Sequence, residues 1–286
     1  AEILDSIEKG VKYSGKAKQV MKLGVDTLPE FPKDTTDRNR TSPFAFTGNK
    51  FEFRMPGSTF SIAGPNIMIN TIVADVLREF ADELEKAEDF HAALHALVVR
   101  TIKKHKRIIF NGNNYSEEWT KEAAKRGLMN LRNTAEALPH FADKKNIKLF
   151  ERNHVFTERE VRSRMEIMLD NYCKVLAIEG LTMIEMGKKD IFPAVNAYIL
   201  ELADVISKKK ALCLASKAEE ELAAKLSAAN EAMYAKAGEI EKILIELKEC
   251  GGAREAAEFA AEKLVPVMQE MRAYADEMEL CTAEKY

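Results

Sequence analysis

From Pro65 almost to the end of the chain, apolar residues recur at spacings of three and four rather than two, a period that fits helix and little else. Ile69, Ile72, Val73, Val76, Leu77 and Phe80 set the first stripe, and Pro65 suits a first helical turn. A second helix is expected from near Ala87 to His105, and a third from Ser116 with Gly127 as its stop. Residues 128–156, interrupted by Pro139, read as irregular. Thr157 and Glu160 then form a capping box for a long helix through Ile184, and Pro193 falls in the first turns of the next. A run rich in Ala, Glu, Lys and Leu from Ala215 to Cys250 breaks at Gly251 and Gly252 and resumes to about Leu280, which predicts two antiparallel helices.

Upstream of Pro65 the pattern differs. One short amphipathic stretch opens the chain, and "TLPEFPKDTTDRNRTSPF", with three prolines, reads as an ordered loop. "RTSPFAF" and "KFEFRM" alternate and flank Thr47, Gly48 and Asn49, a three-residue connection suited to a hairpin. The expected class is α+β but predominantly α-helical, a β-hairpin followed by a large helical region, with domains at 1–127 and 128–286.

In the hairpin, Lys50, Glu52 and Arg54 stand at every second position, with Phe51, Phe53 and Met55 between them. Pairing about the 47–49 turn sets Phe46 opposite Lys50 and Phe44 opposite Glu52, so one face carries Arg40, Phe44, Phe46, Lys50, Glu52 and Arg54. Two readings follow from the pattern alone. A sheet with cross-strand ion pairs explains it, and so does a cleft wall whose charges find partners in a ligand or metal.

Composition sets the outer bounds. With 286 residues, 46% of them hydrophobic, the chain can bury a substantial core. Its 43 Lys and Arg nearly balance 46 Asp and Glu, for a net charge of -3, so neither nucleic acid nor a membrane is expected as a partner. Cys173, Cys213, Cys250 and Cys281 are widely spaced without a CxxC pair, which points to structural thiols in a reducing cytoplasm. The opening lacks a signal peptide's apolar run, and it starts at Ala1 in what reads as mid-helix, as a cut or processed chain would.

Other motifs read plainly. His91 and His95 stand four apart on one helix, but no Glu sits between them as in a zinc helix and no third ligand is near in sequence. "KKHKR", which contains His105, complements a helix C-terminus, and "FNGNNY" lacks the lysine and spacing of a P-loop. Met165, Met168, Met183 and Met186 read as pliable core.

"DRNRTSPFAFTGNKFEFR", residues 37–54, followed by "SIAGPN", residues 61–66, resembles the end of the catalytic domain of glutamine synthetases, in the wording usual for the long type III enzymes. "HVFTEREVRSRMEIMLDNYCKVLAIEGLTMIEM" with "DIFPAV" after it is similar to the helical C-terminal region of those long enzymes. The resemblance implies that the hairpin is the end of the family's catalytic sheet. It implies an ATP-dependent ligase joining glutamate and ammonia through γ-glutamyl phosphate, with Mg²⁺ or Mn²⁺, as a cytoplasmic homo-oligomer of stacked double rings.

Carried over by position, Glu52 matches the metal-ligand carboxylate on this strand, and Arg54 an arginine facing glutamate and phosphate. Arg40 matches the arginine of the Asn-Arg-Ser/Thr turn at the nucleotide phosphates, and Lys50 stands where many relatives place an arginine near the nucleotide. The family's other metal ligands, its histidine ligand and its flap glutamate precede this segment and are not found in the chain. A fragment of a longer polypeptide, inactive alone, is therefore expected. The alternative is a non-catalytic helical module for oligomerisation or regulation, in which the region after residue 128 serves contact rather than catalysis.

Overall fold

The computed structural model describes residues 2–13, 20–21, 31–32, 44–46, 51–54, 61–110 and 112–286. Two compact units divide the chain, Ala1–Asn130 and Leu131–Tyr286.

The first unit contains α1 (Glu2–Lys9), the two-residue strands β1 (Val20–Met21) and β2 (Phe31–Pro32), then β3 (Phe44–Phe46), β4 (Phe51–Phe53) and the helices α2 (Ala63–Leu84), α3 (Phe90–His105) and α4 (Glu117–Lys125). β1 and β2 form an antiparallel pair inside a region whose sequence reads as helix and loop, because two-residue strands carry no legible period. Helix starts follow local chemistry. The Asp89 carboxylate accepts from the Ala92 amide, and the Ser116 hydroxyl accepts from that of Trp119. Gly127 takes a positive φ of 70°, which ends the segment after α4. Lys106, just past α3, bridges to Asp5 at 2.6 Å and Glu8 at 2.5 Å, tying α1 to that helix.

The apolar stripe of α2 is largely exposed: Ile72 is 49% accessible and Leu77 59%. The buried residues of this helix are Thr71 and Asp75. Period fixes which residues share a face, but not which face is covered.

The second unit is a helical assembly with its own core. It runs through α5 (Thr134–Ala137), α6 (Lys144–Arg152), α7 (Glu158–Met186), α8 (Phe192–Ala211), α9 (Lys217–Leu247), α10 (Ala253–Phe259) and α11 (Val265–Glu279). The stretch around Pro139 is thus two short helices joined by a 3₁₀ turn, with the Asn133 side chain capping the first by accepting from the Glu136 amide. Elements of four and nine residues are too short to show a clear repeat.

The α7 capping box is complete: the Thr157 hydroxyl accepts from the Glu160 amide at 3.3 Å, and the Thr157 amide donates to Glu160 Oε2 at 2.8 Å. α7 does not stop where it was expected to. It passes through a π turn, Gly187–Ile191, into α8, with the Phe192 amide reaching the Gly187 carbonyl. Gly187 lies against Met271: a Cβ there would meet the Met271 methyl, the end of a flexible side chain that would have to shift. Asn230, buried on α9, donates to the Phe192 carbonyl at 3.1 Å and to Asn196 Oδ1 at 3.2 Å, anchoring α9 to the start of α8.

Ion pairs Lys225–Glu277 and Lys236–Glu270 fall in number on α11 as they rise on α9, so the two helices are antiparallel. α9 is also the most deeply packed element, with Leu226, Met233, Ala237 and Ile240 fully buried against α7, α8 and α11. The last seventy residues are therefore core for this unit and not only a surface for contacts. Of the four methionines read as core, Met165 and Met183 pack partly buried, whereas Met168 and Met186 are exposed. All four cysteines are free thiols, and burial pushes the Cys173 thiol above its ordinary range. Among the described residues no helix is long and apolar enough to cross a membrane.

Candidate functional site

The charged strand lies in the first unit. β3 and β4 pair antiparallel with Phe44 opposite Phe53, Ala45 opposite Glu52 and Phe46 opposite Phe51. The register therefore moves by one from that expected. A slip of one residue exchanges faces. Positions 44, 46, 51 and 53 fall on one face, while 45, 52 and 54 fall on the other. The expected mixture of Phe44 and Phe46 with Glu52 and Arg54 on one side is thus corrected. The adopted register places Glu52 and Arg54 on the face of position 45 rather than that of 44 and 46.

On that face Arg54 is folded back onto Glu52. Its Nη2 donates to Glu52 Oε2 at 2.8 Å and its Nε donates to the same oxygen at 3.1 Å. The side chains are 22% and 35% accessible for Arg54 and Glu52 respectively, so both remain within reach of a ligand. A guanidinium held by a carboxylate two residues away keeps its planar fork oriented, and a half-exposed carboxylate is a hard oxygen donor. Arg40 and Lys50 lie outside the described residues.

A divalent cation takes about six oxygen ligands. Among the described residues no group of three or more His, Cys, Asp and Glu converges to hold one. Glu52 can offer one oxygen to such an ion, and the described residues do not complete its shell. His91 and His95 are exposed on α3, where no described residue brings them a third ligand.

One polar residue escaped the sequence reading. Asp75 is 2% accessible on α2, and its Oδ1 accepts from Arg78 Nη2 at 2.9 Å. The available signal was an acidic residue three before an arginine, within the apolar run from Ile67 to Leu77 that only Asn70 and Thr71 otherwise interrupt.

Comparison with known proteins supplies the family. The profile of the glutamine synthetase C-terminal domain matches residues 93–210. Over its whole length the chain is 38% identical to a glutamine synthetase of Butyrivibrio fibrisolvens, and over 99% of it 32% identical to the type-3 glutamine synthetase of Dictyostelium discoideum. This chain belongs to the glutamine synthetase family. It is also 32% identical, over 97% of its length, to the glutamine synthetase of Bacteroides fragilis (strain YCH46). The chain spans only 40 to 41% of the length of these relatives, so it corresponds to a portion of a long glutamine synthetase. The type III resemblance carried by residues 37–66 and 154–195 agrees with these matches. The matched C-terminal domain begins inside α3 and ends near the close of α8, so it takes in both units in part.

Proposed function

We propose that this chain is the C-terminal part of an ATP-dependent glutamine synthetase and contributes one wall of its active site from the β3–β4 hairpin. The observation that carries the reading is the Glu52–Arg54 pair, close together on one face of a strand, in a chain similar to glutamine synthetases throughout. Glu52 would give one oxygen to Mg²⁺ or Mn²⁺, which when bound neutralises charge on the γ-phosphoryl group of ATP. Arg54 would then turn its fork from Glu52 towards the phosphoryl oxygens passing to the glutamate carboxylate. Arg40 and Lys50 would hold the nucleotide phosphates. Ammonia completes the reaction by displacing phosphate.

One carboxylate cannot assemble the metal site, so the chain alone would be inactive and the longer polypeptide active. The assembly would be a cytoplasmic homo-oligomer of stacked rings. A second reading is favoured by the self-contained core of residues 131–286, which suits a non-catalytic oligomerisation or regulatory module.

Substitution in a full-length protein separates the two. Glu52→Ala should abolish glutamine formation while circular dichroism stays unchanged. Arg54→Ala should cost roughly 2 to 4 kcal/mol of transition-state stabilisation, a loss on the order of a hundredfold in kcat/KM, with little recovery in Arg54→Lys. Normal turnover by a folded Glu52→Ala protein would leave only the module reading.

A further inference from the structure

A groove of about 790 Å³ opens in the second unit between the α7–α8 run and α11. Its floor is apolar and rich in methionine. Met183, Met186 and Ile191 come from one side, and Met271 and Met278 from the other. The π turn at 187–191 keeps the first side continuous: positions 183, 186, 190, 191, 194 and 195 line one face across the junction. Met186 is 50% accessible and Met183 partly so, while Met271 and Met278, at 2% and 1%, close the bottom of the groove, so a partner would meet mainly the first two.

The rim is charged, and with one sign. Asp190, Asp276, Glu279 and Glu284 stand around the groove against Arg272 alone, and that guanidinium is already bonded to Asp276 at 3.3 Å. Four carboxylates against one guanidinium leave a surplus of three negative charges. Phosphates, nucleotides and acidic substrates are repelled by such a rim. The last residues of the chain form a further wall, held because the Tyr286 hydroxyl donates to Glu201 Oε2 at 2.8 Å and Lys285 pairs with the same carboxylate at 2.5 Å.

Shape narrows the occupant further. Two helical faces side by side offer the seat on which a third helix packs. A cylinder of about 10 Å diameter and about 10 Å length, roughly two helical turns, fills the space. Methionine floors adapt to apolar side chains of varied shape, because the thioether chain is flexible and polarizable. We infer that this groove binds a basic amphipathic helix of a partner protein, with apolar residues at i, i+3 or i+4, and i+7 on the methionines and Lys or Arg on the acidic rim. The inference is independent of the Glu52–Arg54 pair, since it uses no residue of the first unit.

The test uses the whole 286-residue chain and a fluorescein-labelled synthetic helix with leucine in that spacing and lysine elsewhere. Fluorescence anisotropy should give saturable binding that weakens as salt rises. The exposed double variant Glu279→Lys/Glu284→Lys and the single variant Met186→Ser should each weaken binding by about tenfold or more, equivalent to about 1.4 kcal/mol. Peptide addition should also shift the methyl resonances of Met186 and Met271 in the methionine-labelled chain, a readout that needs no variant. Four outcomes overturn the inference: affinity untouched by both variants, equal binding of a peptide with glutamate in place of lysine, displacement by octylammonium at the peptide's own affinity, or groove-dependent self-association in sedimentation without peptide.

Discussion

The two units of this chain use the same kind of helix to opposite effect. In the second, α9 runs through the middle of the assembly with Met233, Ala237 and Ile240 wholly inaccessible, and α7, α8 and α11 close around it. In the first, α2 is equally well patterned, yet Ile72, Val73, Val76 and Leu77 face solvent. Among the buried apolar residues described, only Leu97 and Ala123 belong to the first unit. An amphipathic stripe stabilises a fold only where another surface removes it from water, and that area is worth roughly 25 cal/mol per Å². The contrast therefore separates residues that hold this chain together from residues that only have the composition of a core.

The sharpest way to break that contrast is to delete side chains of similar size on the two sides. Ile240→Ala should cost about 2 to 5 kcal/mol in urea unfolding followed by circular dichroism, through lost burial and the cavity it leaves. Leu77→Ala, at a residue 59% accessible, should stay within about 0.5 kcal/mol. Comparable losses at the two sites would show that the first unit is covered after all.

A smaller effect probes how tightly the second unit is closed. Gly187→Ala places a methyl against the flexible end of Met271, which must shift, so overpacking should cost only about 1 kcal/mol, partly offset by the better helix propensity of alanine. Shortening the partner relieves the clash, so Gly187→Ala/Met271→Ala should lose less than the sum of the single variants in thermal unfolding. Strict additivity would mean that the helices separate freely at the π turn.

A last, equally small effect is expected at the start of α7, on the surface. Thr157→Ala should cost about 1 kcal/mol. Hydrogen bonds from the Thr157 backbone, then its side chain, hold the Glu160 carboxyl below its ordinary value of 4.5. A depressed carboxylate stabilises the fold above that ordinary value and loses its contribution as pH falls through the folded value. The difference in melting temperature between the native chain and Glu160→Gln should accordingly be full near neutral pH and shrink below about pH 4.5. A constant difference down to strongly acid pH would contradict the box.

How much of this was legible depends on the range of the signal. The capping box at Thr157 and Glu160, the Ser116 start, the Gly127 stop and the break at Gly251 and Gly252 are contacts within a few residues, and each is found where the sequence puts it. The short helices near Pro139 and the strands β1 and β2 were not legible, because they span less than one clear period. The candidate site was half legible. Glu52 and Arg54 share a face by alternation alone, whatever strand they pair with, but their cross-strand neighbours depend on register, and the register differs by one from that expected.

The sequence by itself determined where the capped helices begin, which residues share a face along one element, and the family to which the chain belongs. Caps, turns and side-chain period are local, and their energies do not wait for the rest of the fold. Tertiary structure decided which faces are buried, that α9 is the centre of the second unit, and that a methionine floor under an acidic rim lies between α7–α8 and α11. Those depend on surfaces far apart in sequence meeting at a distance of one side chain, and a periodic stripe carries no record of what it will meet.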